Sequence, residues 1–521
     1  MQKTVQLYDT TLRDGTQGTG ISFSVQDKIR VAEKLDAFGI DYIEGGFPGS
    51  NPKDAEFFKE ARRRNWGHAK VAAFGATRRG RVKVEDDPQV KLLLEAETPV
   101  VTIVGKTWPI QVTEVLGVTL DENLAMIAET VAYLKKHGRE VFYDAEHFFD
   151  SYRDDPEYSL KTLKAAHEHG ANLVVLCDTN GGSMPDFVRA AARAAMDALA
   201  ASVGIHTHND CGLGVANALA AVGEGATQVQ GTINGYGERV GNCDLVTVAA
   251  NLQLKMDTPV VPDLARLREL SLFVDELANV PHNIRAPYVG SAAFTHKGGQ
   301  HVHAVQKLAR SYEHIDPSLV GNRQTIVVSD LSGQSNVLAK AKELGFELDK
   351  GAPEAARTLA EVKRLENEGW EFEAADASFD LLVRKTLGVW KPLFELKEYH
   401  CTYRHSDTVE TCEATVKLSV NGTPEYTVAE GDGPVNALDA ALRKALKPFY
   451  PWIEQLSLTD YKVRIVDGRA GTAARTRVLI ESTDGRRQWG TVGVSDNIIE
   501  ASWRALVDSF EFYGQQVAKG A

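Results

Sequence analysis

Two histidines, His206 and His208, stand two residues apart in Gly204-Ile205-His206-Thr207-His208-Asn209-Asp210. In an extended strand, side chains two apart share a face. Both imidazoles therefore point the same way, at a spacing that suits two ligands of one divalent cation. Asp14, in Asp9-Thr10-Thr11-Leu12-Arg13-Asp14-Gly15, is the candidate third ligand, and Asn242 can supply a fourth oxygen. One Asp with two His suits zinc, manganese, magnesium or a similar ion. Such an ion with open positions can chelate a 2-oxo acid and would then act as a Lewis acid on its ketone. Arg13, beside it, is a fixed cation suited to a developing enolate or alkoxide; the alternative is an ion pair with Asp14 or Glu146. Glu146 either orients Arg13, acts as a base, or forms a plain structural salt bridge. Further along, His296, His301 and His303 follow one another closely, with Gly298 and Gly299 between. These glycines let the backbone fold over a mouth. One of the three histidines is a candidate general base, and spacing does not choose among them. Tyr312 is equally open.

The elements that must position these residues read as alternating strands and helices. Apolar runs fall at Val5–Tyr8, Tyr42–Phe47, Val71–Phe74, Val100–Val104, Val141–Tyr143, Leu173–Cys177, Val203–His206 and Gln228–Ile233. Amphipathic stretches lie between them. Ser24-Val25-Gln26-Asp27 reads as a capping box, Ile29, Ala32, Leu35 and Phe38 recur at helical spacing, and Gly39 is the C-cap. Leu160, Leu163, Ala166 and Gly170 repeat the scheme. Eight βα units predict an α/β fold, a (β/α)₈ TIM barrel. A Gly-x-Gly-x-x-Gly turn after the first strand, the mark of a dinucleotide fold, is missing. Barrel chemistry sits at the C-terminal strand ends. Arg13, Asp14, Glu44, Asp144, Glu146, Asp178, Thr179, His206, His208, Asn234, Glu238, Arg239 and Asn242 all fall there.

The βα rhythm stops near residue 256. Leu264–Leu277 and Gly351–Asn367 read as helices, and Thr386–Pro392 as a hinge. Past it, Glu413–Val420 alternates as a strand, and Asn421-Gly422 signals a hairpin. The runs Gly431–Leu438 and Gly493–Ala501 open two helices alike, as if one strand-and-helix unit were duplicated. The expected division is a catalytic barrel over 1–275, linker and lid subdomains over 276–392, and a C-terminal α+β domain over 393–521 for binding and assembly. Composition is that of a soluble globular protein, 43% hydrophobic and 25% charged. The net charge of −13 argues against a nucleic-acid partner. The apolar runs are too short to span a membrane. A start without a signal-peptide pattern and five unpatterned cysteines point to a cytoplasmic protein.

With these residues in hand, the chain resembles the metal-dependent acyl-CoA condensing family of (β/α)₈ enzymes, which contains the 2-isopropylmalate, homocitrate and citramalate synthases. The likeness runs nearly full length. It is carried by Asp9–Gly15, His206–Asp210, Gly235-Tyr-Gly-Glu-Arg-Val-Gly-Asn242 and Phe294-Thr-His-Lys-Gly-Gly-Gln-His301. The resemblance implies that Asp14, His206, His208 and Asn242 hold the metal and that Arg13 is the catalytic arginine, with Glu146 as its carboxylate partner. It places Thr179 on the oxo acid, and His301 and Tyr312 at proton abstraction and closure of the site, donated across a homodimer. Glu44–Ser50, Phe142–His147 and Cys177–Gly182 look most like the citramalate branch, in which Tyr143 or Asp144 shapes a pocket small enough for pyruvate. The implied reaction is a Claisen condensation of acetyl-CoA with pyruvate, then thioester hydrolysis to citramalate and free CoA, opening a route to isoleucine. The last domain resembles the regulatory domain of these synthases, with isoleucine as the implied feedback ligand.

Four alternatives compete. Isopropylmalate and homocitrate synthases differ in the 2-oxo acid. A hydroxyacyl-CoA lyase shares the barrel and metal but carries Gly-Cys-Pro where this chain has Gly237-Glu238-Arg239. A metallohydrolase barrel has its His-x-His after strand one, not strand seven. A non-enzymatic amino-acid sensor needs only the last domain and leaves the polar rim unexplained.

Overall fold

Eight parallel strands close on themselves in chain order. They are β1 (Gln6–Asp9), β2 (Tyr42–Gly46), β3 (Lys70–Ala76), β4 (Val100–Lys106), β5 (Glu140–Glu146), β6 (Leu173–Asp178), β7 (Gly204–Thr207) and β8 (Gln228–Gly231). The computed structural model describes residues 5–327, 334–346, 352–406, 409–466, 471 and 473–520. Met1–Thr4, the lead-in to the first strand, and Gly351, the expected start of a helix, lie outside the described residues. Contacts divide the chain into two units: residues 1–294 with 315–323, and residues 295–314 with 324–521.

Closure of the first unit comes from β1 pairing with β8, Gln6 against Gln228 through Asp9 against Gly231. The first helix shows how the sequence sets its ends. Ser24 caps Val25–Phe38 by accepting from the Asp27 N–H, and Asp27 accepts in return from the Ser24 N–H, both at 3.1 Å. Gly39 ends the helix at φ 100°, a left-handed conformation that a β-carbon disfavours.

Strand alternation sorts each strand's side chains into two sets. On β5, Val141, Tyr143 and Ala145 face the helices and join the main core. Phe142 faces the lumen, packed with Tyr8, Tyr42, Ala72 and Val100 in a layer that floors the barrel. Tyr42 and Phe142 meet edge to face with centroids 5.0 Å apart. This parity corrects one expectation. Tyr143 is fully buried behind the barrel wall, its ring against Gly105, and does not line a substrate pocket. Asp144, one residue on, faces inward.

In the second unit, two antiparallel sheets of three strands each carry one helix. The first is β9 (Glu395–Ser406), β10 (Val409–Val420) and β11 (Thr423–Gly431), with the helix Pro434–Leu446. The second is β12 (Ser457–Ile465), β13 (Thr476–Thr483) and β14 (Gln488–Ser495), with the helix Ile498–Gly520. The duplicated strand-and-helix unit is thus present as two sheet-and-helix layers. Val420 pairs with Thr423 across Asn421-Gly422, whose φ values of 50° and 84° make the primed turn that fits strand twist. The helix Asp376–Leu387 packs Phe379 and Val383 with Val492 and Val494 of β14. Among the described residues no helix is long and apolar enough to cross a membrane.

Candidate active site

At the C-terminal mouth of the barrel, Asp14, His206 and His208 present ligand atoms within 4.8 Å of one another, and all three are buried. Asp14 follows β1 and the histidines end β7. Because β8 alone separates those strands, residues nearly 200 apart in sequence share one spot. His206 Nε2 lies 3.2 Å from Asp14 Oδ2 and 3.4 Å from His208 Nε2. The far nitrogen, Nδ1 of His206, is 3.0 Å from Gln230 Oε1. An amide oxygen only accepts, so Nδ1 carries the hydrogen and Nε2 of the neutral ring turns its lone pair to the carboxylate and the other imidazole. Facing lone pairs repel unless a proton or a cation stands among them. The donor set therefore fits a divalent ion by its chemistry as well as its spacing.

Electrostatics favour the metal-binding forms of Asp14 and His208, while His206 beside Asp14 favours the proton that a cation would displace. Burial pushes the His208 pKa down to about 4, helped by the neighbouring His206. For His206, burial acts downward, but the Asp14 hydrogen bond and charge outweigh it and the pKa rises. Burial acts upward on Asp14, yet Arg13 and His206 hold it well below the usual carboxylate range. Asp14 is thus ionised and His208 neutral at neutral pH, the forms in which both bind metals. Asn242 forms a bridge with His208. Its Nδ2 donates to the Tyr236 carbonyl, leaving a buried Oδ1 without a partner.

Arg13 sits 3.4 Å from Asp14, but its main partner is Glu44 on β2, to which Nε donates at 2.5 Å. The guanidinium also lies 3.8 Å over the Phe74 ring. Glu44 is fully buried and accepts a second bond from the Tyr8 hydroxyl at 2.7 Å. The expected Arg13–Glu146 pairing is corrected here. Glu146 pairs with Lys106, which stands directly opposite it in the β4–β5 register. A lysine one strand away satisfies that carboxylate more directly than an arginine of the β1 loop. Asp144 accepts from Gln230 Nε2 at 3.1 Å, and burial raises its pKa to about 7.

Thr179, past the end of β6, accepts the His147 N–H at 2.8 Å through Oγ1. Its own hydroxyl proton stays available for a ligand oxygen. In the second unit, His301 and Tyr312 pack ring against ring at 4.4 Å, and Tyr312 is half exposed. His296 is instead paired with the buried Glu313 at 3.0 Å. Of the three clustered histidines, His296 is therefore the one committed to a structural pair. Sequence reasoning missed Gln230 altogether and gave Glu44 no role. A buried glutamate in an otherwise apolar strand was the available signal for Glu44.

Comparison with known proteins bears on this site. The family profile described as HMGL-like matches residues 4–274, that of the homocitrate synthase post-HMGL domain matches 288–369, and that of the LeuA allosteric (dimerisation) domain matches 373–513. The chain is 54% identical to the (R)-citramalate synthase of Aquifex aeolicus, covering 98% of both chains. It is 52% identical to the enzyme of the same name from Geobacter sulfurreducens, covering 98% of this chain and 97% of that one. To a probable 2-isopropylmalate synthase of Methanopyrus kandleri the identity is 32%, over 97% of this chain and 98% of the other. At such identity over nearly the whole length, the chain belongs to the (R)-citramalate synthase family, built on an HMGL-like barrel.

Proposed function

We propose that this chain is an (R)-citramalate synthase, condensing acetyl-CoA with pyruvate and hydrolysing the resulting thioester to citramalate and free CoA. The observation that carries this is the buried cluster of Asp14, His206 and His208 with Arg13 clamped beside it. Asp14, His206, His208 and the free Oδ1 of Asn242 would hold a divalent zinc, manganese or magnesium ion. When bound, that ion supplies Lewis acidity toward the keto group of the oxo acid. Arg13, fixed by Glu44 and Phe74, presents a cation to the oxygen that becomes the alkoxide. The Thr179 hydroxyl donates to the oxo acid. The partner subunit's His301 takes the proton from the acetyl methyl group, and the carbanion so formed attacks the ketone carbon. Tyr312 steadies the His301 ring. Glu146, paired with Lys106, serves as the charged wall of the mouth, and Asp144 as a support of Gln230.

The same reading makes the protein a cytoplasmic homodimer in a route to isoleucine, with isoleucine acting on the C-terminal domain. It divides the chain at 275 and 392 into barrel, lid and regulatory parts. The test is thiol release from acetyl-CoA in the presence of pyruvate, 2-oxoisovalerate or 2-oxoglutarate, with and without chelator. Release that prefers pyruvate and stops with chelator supports the reading. Preference for 2-oxoisovalerate or 2-oxoglutarate reassigns the substrate, and chelator-resistant release removes the metal.

A further inference from the structure

Arg239 lies in the loop after β8, and its guanidinium reaches two other loops. Nε donates to Asp210 Oδ1 at 2.7 Å and Nη2 to Asp210 Oδ2 at 2.9 Å, a two-pronged grip on the loop after β7. Nη2 also donates to the Thr179 carbonyl at 2.8 Å, in the loop after β6. Each loop carries a residue of the candidate site: Thr179, His208 and Asn242. Backbone bonds join the same loops. His208 N–H donates to the Asp178 carbonyl at 3.2 Å and Asn209 N–H to the Gly241 carbonyl at 3.0 Å. The contacts are close enough that a β-carbon on Gly181 would stand 2.5 Å from Asp210 Oδ2.

The backbone around Arg239 is wound tightly. Gly235, Gly237, Arg239 and Gly241 all have positive φ, at 69°, 152°, 60° and 102°. Three are glycines, for which this is cheap. Arg239 is not, and a side chain held left-handed is retained where surrounding contacts over-determine it. The Arg239 and Asp210 side chains are 39% and 24% exposed, so the pair in itself adds little stability. Its value must lie in where it holds the loops.

We propose that Arg239 is a positioning residue that locks the loops after β6, β7 and β8 into one rim, setting Thr179 against the oxo acid and His208 with Asn242 against the cation. This rests on the function proposed above. A planar fork is required, because a lysine ammonium cannot grip both Asp210 oxygens in parallel and reach the Thr179 carbonyl.

The test uses the full-length protein with R239K, R239Q, D210N and the D210N/R239Q double variant. Three quantities are measured: the KM for pyruvate, the KM for acetyl-CoA, and the dissociation constant of Mn²⁺ by calorimetry. In R239K and R239Q the pyruvate KM and the Mn²⁺ dissociation constant are each expected to rise about tenfold, the scale seen when residues behind metal ligands are removed. The acetyl-CoA KM is expected to stay within twofold. D210N should raise both values by less than R239Q, because the Arg239 bond to the Thr179 carbonyl survives it, and the double variant should be no worse than R239Q. The proposal is overturned if R239K keeps all three values, or if both KM values rise together as they would on general loosening. Should one variant fail to fold, R239K and D210N each decide it alone. If the unaltered protein binds no Mn²⁺ and does not use pyruvate, the proposed function fails instead, and that is read before any variant is made.

Discussion

Arg13 and Glu44 form an ion pair at the mouth of the barrel, with Nε to Oε1 at 2.5 Å and the carboxylate wholly out of water. Each partner answers the other's charge where solvent cannot. Glu44→Gln keeps the shape and the bond from Tyr8 but removes the charge that holds the guanidinium. The expected result is a fall in kcat of about a hundredfold, with Mn²⁺ binding intact, measured by steady-state kinetics and calorimetry. Glu44→Ala should also destabilise the fold by about 3 kcal/mol in denaturant unfolding, since it breaks the closer of the two ion pairs of the largely enclosed Arg13.

Gln230 links Asp144 to His206, accepting from one side and donating to the other. Gln230→Leu has similar bulk and neither bond. Its expected signature is a divalent-ion dissociation constant raised about 10–100-fold, with the barrel still folded by circular dichroism. Unchanged ion affinity would mean that the His206 ring is oriented by other contacts.

His301→Ala should abolish condensation while leaving Mn²⁺ affinity and pyruvate binding as they were. Its Tyr312 neighbour gives the control. Tyr312→Phe keeps the ring that packs on His301 at 4.4 Å and should retain most of the rate. Normal turnover by the alanine variant would place the base elsewhere.

Glu511, on the last helix, gives a prediction about stability. Burial raises its pKa to about 7, partly offset by the Leu393 N–H that donates to Oε1 at 2.9 Å. The folded-state pKa lies above the unfolded one, so the folded protein binds the extra proton. That contribution is complete below about pH 4.5 and is lost as the pH rises through 7. Glu511→Gln removes the titration. Its thermal midpoint relative to the natural protein should rise between pH 5 and pH 8, with a gain of at most about 3 kcal/mol at the upper end. A pH-independent difference would contradict the assignment.

How far the molecule could be read from its sequence follows from the range of the information used. Asp14, His206 and His208 were legible because strand alternation is local and strand order in a barrel is fixed by closure. The capping box at Ser24 and the Asn421-Gly422 turn were legible for the same reason: their bonds close within a few residues. Tyr143 was misplaced by a single step of alternation, since a tyrosine one residue before a lumen-facing aspartate reads equally well as pocket or as core. Glu146 was given Arg13 when the pairing of β4 with β5 had already put Lys106 opposite it. That register is not written in either strand alone. Gln230 and the role of Glu44 were invisible because each acts on a neighbouring strand or its loop, on partners 24 and 31 positions away.

The loop from Gly235 to Gly241 switches its backbone handedness at every second position. Adding or deleting one residue there would shift left-handed angles onto neighbours with a β-carbon, which disfavours them, and would swing the Asn242 amide away. This segment should therefore accept exchanges of its exposed side chains but no change of length, and libraries built to retune the enzyme are better lengthened elsewhere around the mouth.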